Sequence, residues 1–124
     1  MNEINLIHRN AYGISFHWKR NSSNDRRKVQ LIFRDTGLLL TSNELLKFSS
    51  NIERTISEGK NLLCKDCQDR GKCRSLLVDS PAPQVTFAVS YEEVLELQDL
   101  VAGTLFQLNL DSLLGEIGFS DGEA

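Results

Sequence analysis

At 124 residues, 40% of them hydrophobic and 25% charged, the chain has the size and composition of one folded domain, which excludes a disordered polymer and leaves no material for two cores. Its net charge of −3 conceals an asymmetry: positions 1–80 carry all 14 basic residues against 9 acids, whereas positions 81–124 carry 8 acids and no base. Opposite fields are therefore expected to meet inside one molecule or across a dimer, and no run of about 18 apolar residues offers a membrane span.

The first residues, MNEINLIHRN, lack the apolar run of a signal peptide, so the expected compartment is cytoplasmic. Tyr12 to Lys19 (YGISFHWK) alternates as a strand, with Ile14, Phe16 and Trp18 on one side and Ser15 and His17 on the other; Trp18 and the phenylalanines are read as core. Asn21 to Asp25 reads as an exposed loop with basic shoulders at Lys19, Arg20, Arg26, Arg27 and Lys28. Nucleic-acid readers add exposed aromatics to such a patch, and only Trp18 is adjacent, which argues against nucleic acid as a partner.

A first strand-turn-strand-helix unit occupies 28–57. Lys28 to Arg34 is a strand, Asp35-Thr36-Gly37 a turn, and Leu38 to Leu40 the returning strand. Thr41 and Glu44 form a capping box ahead of a helix near 42–57, whose apolar stripe is Leu45, Phe48, Ile52 and Ile56. The same grammar returns 49 residues later, in a second unit over 75–105. Ser75 to Asp79 and Gln84 to Val89 are strands around Ser80-Pro81-Ala82-Pro83, Ser90 and Glu93 repeat the capping box, and Val94, Leu97, Val101 and Leu105 repeat the stripe on a helix near 91–104. Beyond Gly103 the pattern fits a short strand or further helical turns through Leu113 and Leu114, before a flexible acidic tail at 115–124.

Each unit has one apolar sheet face and one apolar helix stripe, and neither buries both alone. The expected fold is α+β in a single domain, 1–124: an antiparallel sheet of four to five strands with both helices on one face, and the two ββα units related by a pseudo-twofold. The other sheet face needs cover, which points to a homodimer.

The connector, 58–74, holds the segment with chemical content, NLLCKDCQDRGKCRS. Cys64, Cys67 and Cys73 have the spacing Cys-x2-Cys-x5-Cys, Gly71 lets the third thiol turn back, and Lys65, Arg70, Lys72 and Arg74 favour thiolates. Three clustered cysteines, an odd number, do not form a disulfide framework. Zinc is the expected metal, with His17 as the preferred fourth ligand over His8, Asp66, Asp69 or solvent; an iron-sulfur cluster ranks below it, and a metal-free loop of reduced thiols is the plain alternative. No phosphate loop, nucleophile-base pair or acid-base carboxylate pair is legible.

The runs VQLIFRDTGLLLTSNELLKFSSNIE, from Val29 to Glu53, and LVDSPAPQVTFAVSYEEVLELQDL, from Leu77 to Leu100, resemble a family of small uncharacterised bacterial proteins found among the Bacteroidetes. The resemblance implies the same strand-turn-strand-helix order with a Pro-containing turn and an acidic second helix. It also implies cysteines near the first strand, where this chain has His17-Trp18, and it assigns no activity. The expectation is a non-enzymatic binding or regulatory module with a structural zinc site and an unidentified protein partner. The alternative is a thiol-redox or iron-sulfur protein using Cys64, Cys67 and Cys73.

Overall fold

The structure is a computed structural model that describes the backbone of residues 4–19, 28–62 and 73–117, with side chains through 59 and 110 in the two helices. The elements, in chain order, are β1 (Ile4–Arg9), β2 (Gly13–Trp18), β3 (Val29–Phe33), β4 (Thr36–Leu40), α1 (Ser42–Leu62), β5 (Leu76–Asp79), β6 (Thr86–Val89) and α2 (Tyr91–Ile117). The loop at 21–25 with its basic shoulders Arg20, Arg26 and Arg27, the ligand candidates Cys64, Asp66, Cys67 and Asp69, and residues 118–124 of the tail lie outside the described residues.

The fold is α+β. Strands β1 to β4 form an antiparallel meander in spatial order β1-β2-β3-β4, and β5 and β6 pair as a separate two-stranded sheet. Both helices join one face of the meander in a single core. Val29, Leu31 and Phe33 of β3 and Leu40 of β4 meet Leu45, Phe48 and Ile52 of α1 and Val94, Leu97, Leu100 and Val101 of α2, all buried. Phe33 lies between the two hairpins, 5.1 Å from Phe87 of β6 and 6.4 Å from Phe48, ring centre to ring centre.

Both capping boxes form. Thr41 Oγ1 accepts from the Glu44 N–H at 3.2 Å while Glu44 returns a carboxylate to the Thr41 N–H at 2.9 Å. Ser90 and Glu93 repeat the exchange at 3.0 and 2.9 Å. These reciprocal bonds satisfy donors that a helix start leaves without intrahelical partners.

Four expectations are corrected. The sheet gains a strand, β1, from the segment before Tyr12, and it fills the place beside β2 that a second hairpin would need. A three-residue connection closes β1 onto β2, and so short a closure prevails over pairing with a distant hairpin. The one pseudo-twofold sheet is accordingly replaced by two sheets. Secondly, the meander's helix-facing side at β2 carries Gly13 and Ser15: Ser15 Oγ lies 2.6 Å from Thr104 Oγ1 of α2, and a methyl group on Gly13 would collide with the Ile32 carbonyl and Leu100. Phe16, buried at 5% exposure, and half-buried Trp18 pack edge to face at 5.0 Å on the opposite face, apart from the cluster the helices share. Thirdly, the first hairpin turns at Arg34-Asp35, with Phe33 paired to Thr36, so Thr36 and Gly37 belong to β4. Finally, α2 passes through Gly103 and residues 115–117 as continuous helix.

Candidate functional site

Cys73 is exposed, three residues ahead of β5. Its neighbour Arg74 grips Glu93 with Nε 2.9 Å from Oε1 and Nη2 2.8 Å from Oε2, a two-pronged pair that pins this end of the connector to the first turn of α2. His17 is elsewhere. Its Nδ1 lies 3.0 Å from the Lys28 carbonyl, which can only accept, so Nδ1 carries the proton and Nε2 is left as the basic nitrogen. Two residues before it, Ser15 reaches Thr104, eleven positions along α2 from Glu93. About 16 Å of helix rise thus separates the anchor points of Cys73 and His17. Among the described residues no three of His, Cys, Asp and Glu converge as a metal site.

A polar cleft of about 620 Å³ opens at the start of α2, lined by Tyr12, Arg74, Ser90, Glu92, Glu93 and Glu96. Among the described residues one cation, Arg74, stands there against three acids, and it pairs with Glu93. The hydrogen bonds from Arg74, followed by that from the Ser90 backbone, hold the Glu93 carboxyl below the ordinary carboxylate range, and the same pair raises Arg74. Burial pushes the Tyr12 phenol above its usual value, against a smaller opposing effect from Arg34, so it stays neutral. Its oxygen is buried without a well-formed hydrogen bond.

Arg34, at a positive φ of 57° in the β3–β4 turn, donates to the Ala88 carbonyl at 2.9 Å and so bridges the two hairpins. The arginine at 74 holds the Glu93 carboxylate ionised, and burial holds the Tyr12 phenol neutral. What the cleft does is tie the β1–β2 turn and the connector to α2.

A second hollow, of about 580 Å³, has the opposite character. It runs between the first half of α1 and the middle of α2, with Ser42, Ser49 and Ala102 giving depth and Leu46, Leu105 and Phe106 giving apolar surface. Phe106 is 67% exposed and Leu46 55%. Leu95 and Ala102, also exposed, precede Phe106 at helical spacing, so α2 carries an outward apolar stripe besides the one it buries. A helix apolar on more than one side is expected to be covered on more than one side.

Phe106 corrects the reading of every phenylalanine as core. The signal was present: Leu46 and Phe106 stand one position past Leu45 and Leu105, off the buried stripe by about 100° of helix.

Comparison with protein-family models, with curated proteins and with solved structures finds no match.

Proposed function

We propose that this chain is a non-enzymatic binding module of the cytoplasm, acting as a homodimer, that receives an amphipathic helix of a partner protein in the groove between α1 and α2. The observation that carries the reading is Phe106, two-thirds exposed beside Leu46 in a groove whose lining among the described residues is uncharged. Exposed aromatic side chains over small residues make a pocket for helix anchors at i, i+3 or i+4, and i+7. The partner's polar face is basic. Positions 81–124 hold eight acids and no base, and Asp99 lies exposed one turn before Ala102.

The test is a titration of the isotopically labelled protein with a synthetic helix of Leu and Ala on one face and Lys on the other. Saturable shifts confined to the amides around Leu46, Ser49, Ala102 and Phe106 support the reading. Shifts scattered over the acidic surface, or none, sink it.

The connector is read as a structural zinc loop built on Cys64, Cys67 and Cys73, with the fourth position taken by Asp66, Asp69 or solvent. Two thiols separated by two residues, followed by a third on a segment anchored through Arg74, support this reading. Stoichiometric zinc in protein purified without added metal, and a midpoint lowered by chelator, are the expected results. A brown protein with iron and sulfide transfers the loop to the iron-sulfur reading, and a metal-free protein indifferent to chelator removes both.

A further inference from the structure

Strand edges expose backbone donors and acceptors, and three of the four outer edges here are covered or blunted. At β5 the outward carbonyls of Leu77 and Asp79 accept from Thr55 Oγ1 and Asn51 Nδ2 of α1, each at 2.9 Å. On β6 the Ala88 carbonyl accepts from Arg34. Strand β1 carries a break in register between Leu6 and His8 and ends on exposed Arg9, both features that discourage further pairing. Among the described residues, strand β4 has neither cover nor defence. Its one partner among the described strands is β3, its sequence Thr36-Gly-Leu-Leu-Leu40 has no charge and no proline, and its register runs unbroken from Thr36 to Leu40.

Antiparallel pairing alternates the direction of backbone groups. The two-residue turn closed by Phe33 and Thr36 turns the backbone groups of Thr36, Leu38 and Leu40 toward β3, which leaves the N–H and C=O of Gly37 and Leu39 facing outward. Both residues are exposed, Leu39 at 46%.

We propose that β4 pairs with β4 of a second copy, antiparallel about a twofold axis at Leu38, so that the two meanders become one continuous sheet. The proposal rests on the homodimer reading above and names its surface. A twofold at Leu38 sets Gly37 opposite the partner copy's Leu39 and the reverse, and these are the residues whose backbone groups are free to exchange bonds.

The side chains fit as well. Gly37 and Leu39 share the face of the sheet away from the helices, so each exposed Leu39 covers the bare backbone of a glycine directly across the axis, where an unlike strand would have to supply that gap. Charge agrees with the direction. Asp35 marks the start of β4 and Lys28, next to the Val29–Leu40 pair, marks its end, so antiparallel pairing brings unlike charges together and parallel pairing like ones.

The experiment is sedimentation velocity with amide hydrogen exchange on the full chain. Wild-type protein is expected to move from the 14.0 kDa monomer to a dimer with rising concentration, with slowed exchange at Gly37 and Leu39 only in the dimer. Leu39→Lys, which places a charge on the edge, and Leu39→Pro, which removes one outward N–H without touching the β3 ladder, are each expected to weaken the dimer about tenfold or more. Phe106→Asp, in the groove, leaves it unchanged. A wild type that stays monomeric overturns both the homodimer and the edge. A dimer with fast exchange at Gly37 and Leu39, undisturbed by Leu39→Lys, overturns the edge alone.

Discussion

The imidazole of His8 lies over Gly103, filling the space where any other residue of α2 would carry a Cβ. His8 follows the register break in β1, and its Nε2 stands 3.6 Å from Asp99 Oδ2 one turn back along the helix. Asn10 adds a second hold, donating to the Glu96 carbonyl and to Asp99 Oδ2, both at 2.9 Å, while its own oxygen accepts from the backbone of Tyr12 and Gly13. Ser15 on Thr104 adds a third. A glycine inside a helix costs about 1 kcal/mol relative to alanine, and here that cost admits the β1–β2 hairpin to close packing on α2.

Gly103→Ala is therefore expected to destabilise the protein by about 1–3 kcal/mol through overpacking, although it improves helix propensity. In a His8→Ala background the same substitution should change sign and stabilise by up to about 1 kcal/mol. Urea midpoints of the four proteins form a double-mutant cycle, and Gly103→Ala stabilising the wild type would contradict the packing.

Arg34 combines an unfavourable backbone with a favourable side chain. Arg34→Gly relieves the left-handed strain, about 1 kcal/mol, and loses a hydrogen bond to Ala88 of similar worth, so its stability should stay close to wild type. Arg34→Ala keeps the strain and loses the bond, and is expected to fall about 1 kcal/mol below Arg34→Gly. Equal stability of the two variants would show that the turn does not demand a positive φ.

The pair of Arg74 and Glu93 predicts an acid dependence with a definite sign. The carboxyl is held below its unfolded value, so its contribution is complete above the unfolded value of about pH 4.3 and is lost as pH falls through the lower, folded one. Arg74→Met removes the largest cause. Thermal midpoints recorded from neutral pH down past pH 4 should fall less steeply in the variant than in the wild type, and parallel curves would deny the pair this role.

Cys73 is anchored beside the first turn of α2, and the strand that carries His17 is anchored at the middle of that helix. His17→Gln is expected to leave metal content unchanged while Cys73→Ser reduces it. Equal loss in the two variants, measured by elemental analysis, would require the connector to reach His17.

The parts of the fold legible in the sequence were those encoded locally. Thr41 with Glu44 and Ser90 with Glu93 announced both helix starts, and Leu45, Phe48, Ile52, Val94, Leu97 and Val101 announced their buried stripes, because caps and 3.6-residue periodicity need no knowledge of neighbours. What distant packing decides was not legible. Ser15 looks like a solvent-facing residue in alternation with Ile14 and Phe16, yet it is fully buried because Thr104 supplies its hydrogen bond. Gly103 looked like an interruption of α2 and is a seat for His8. Strand β1 was missed because INLIHR alternates poorly, and the break in register at Ile7 is the reason: the residue packs against the core out of phase with Leu6. The groove escaped because Leu46 and Phe106 are apolar residues beside apolar residues, and only the crossing of α1 and α2 separates those that bury from those that do not.

The binding reading requires that Phe106 be dispensable for folding and necessary for docking. Phe106→Ser separates these roles, with a melting curve and a titration by the Leu/Ala/Lys helix carried out on the same sample. The expected result is a midpoint at or above that of the wild type, since little packing is lost from a side chain that is 67% exposed, together with loss of the saturable shifts around Leu46 and Ala102. A loss of about 3–5 kcal/mol, the cost of truncating a buried phenylalanine, or binding that survives the substitution, would contradict it.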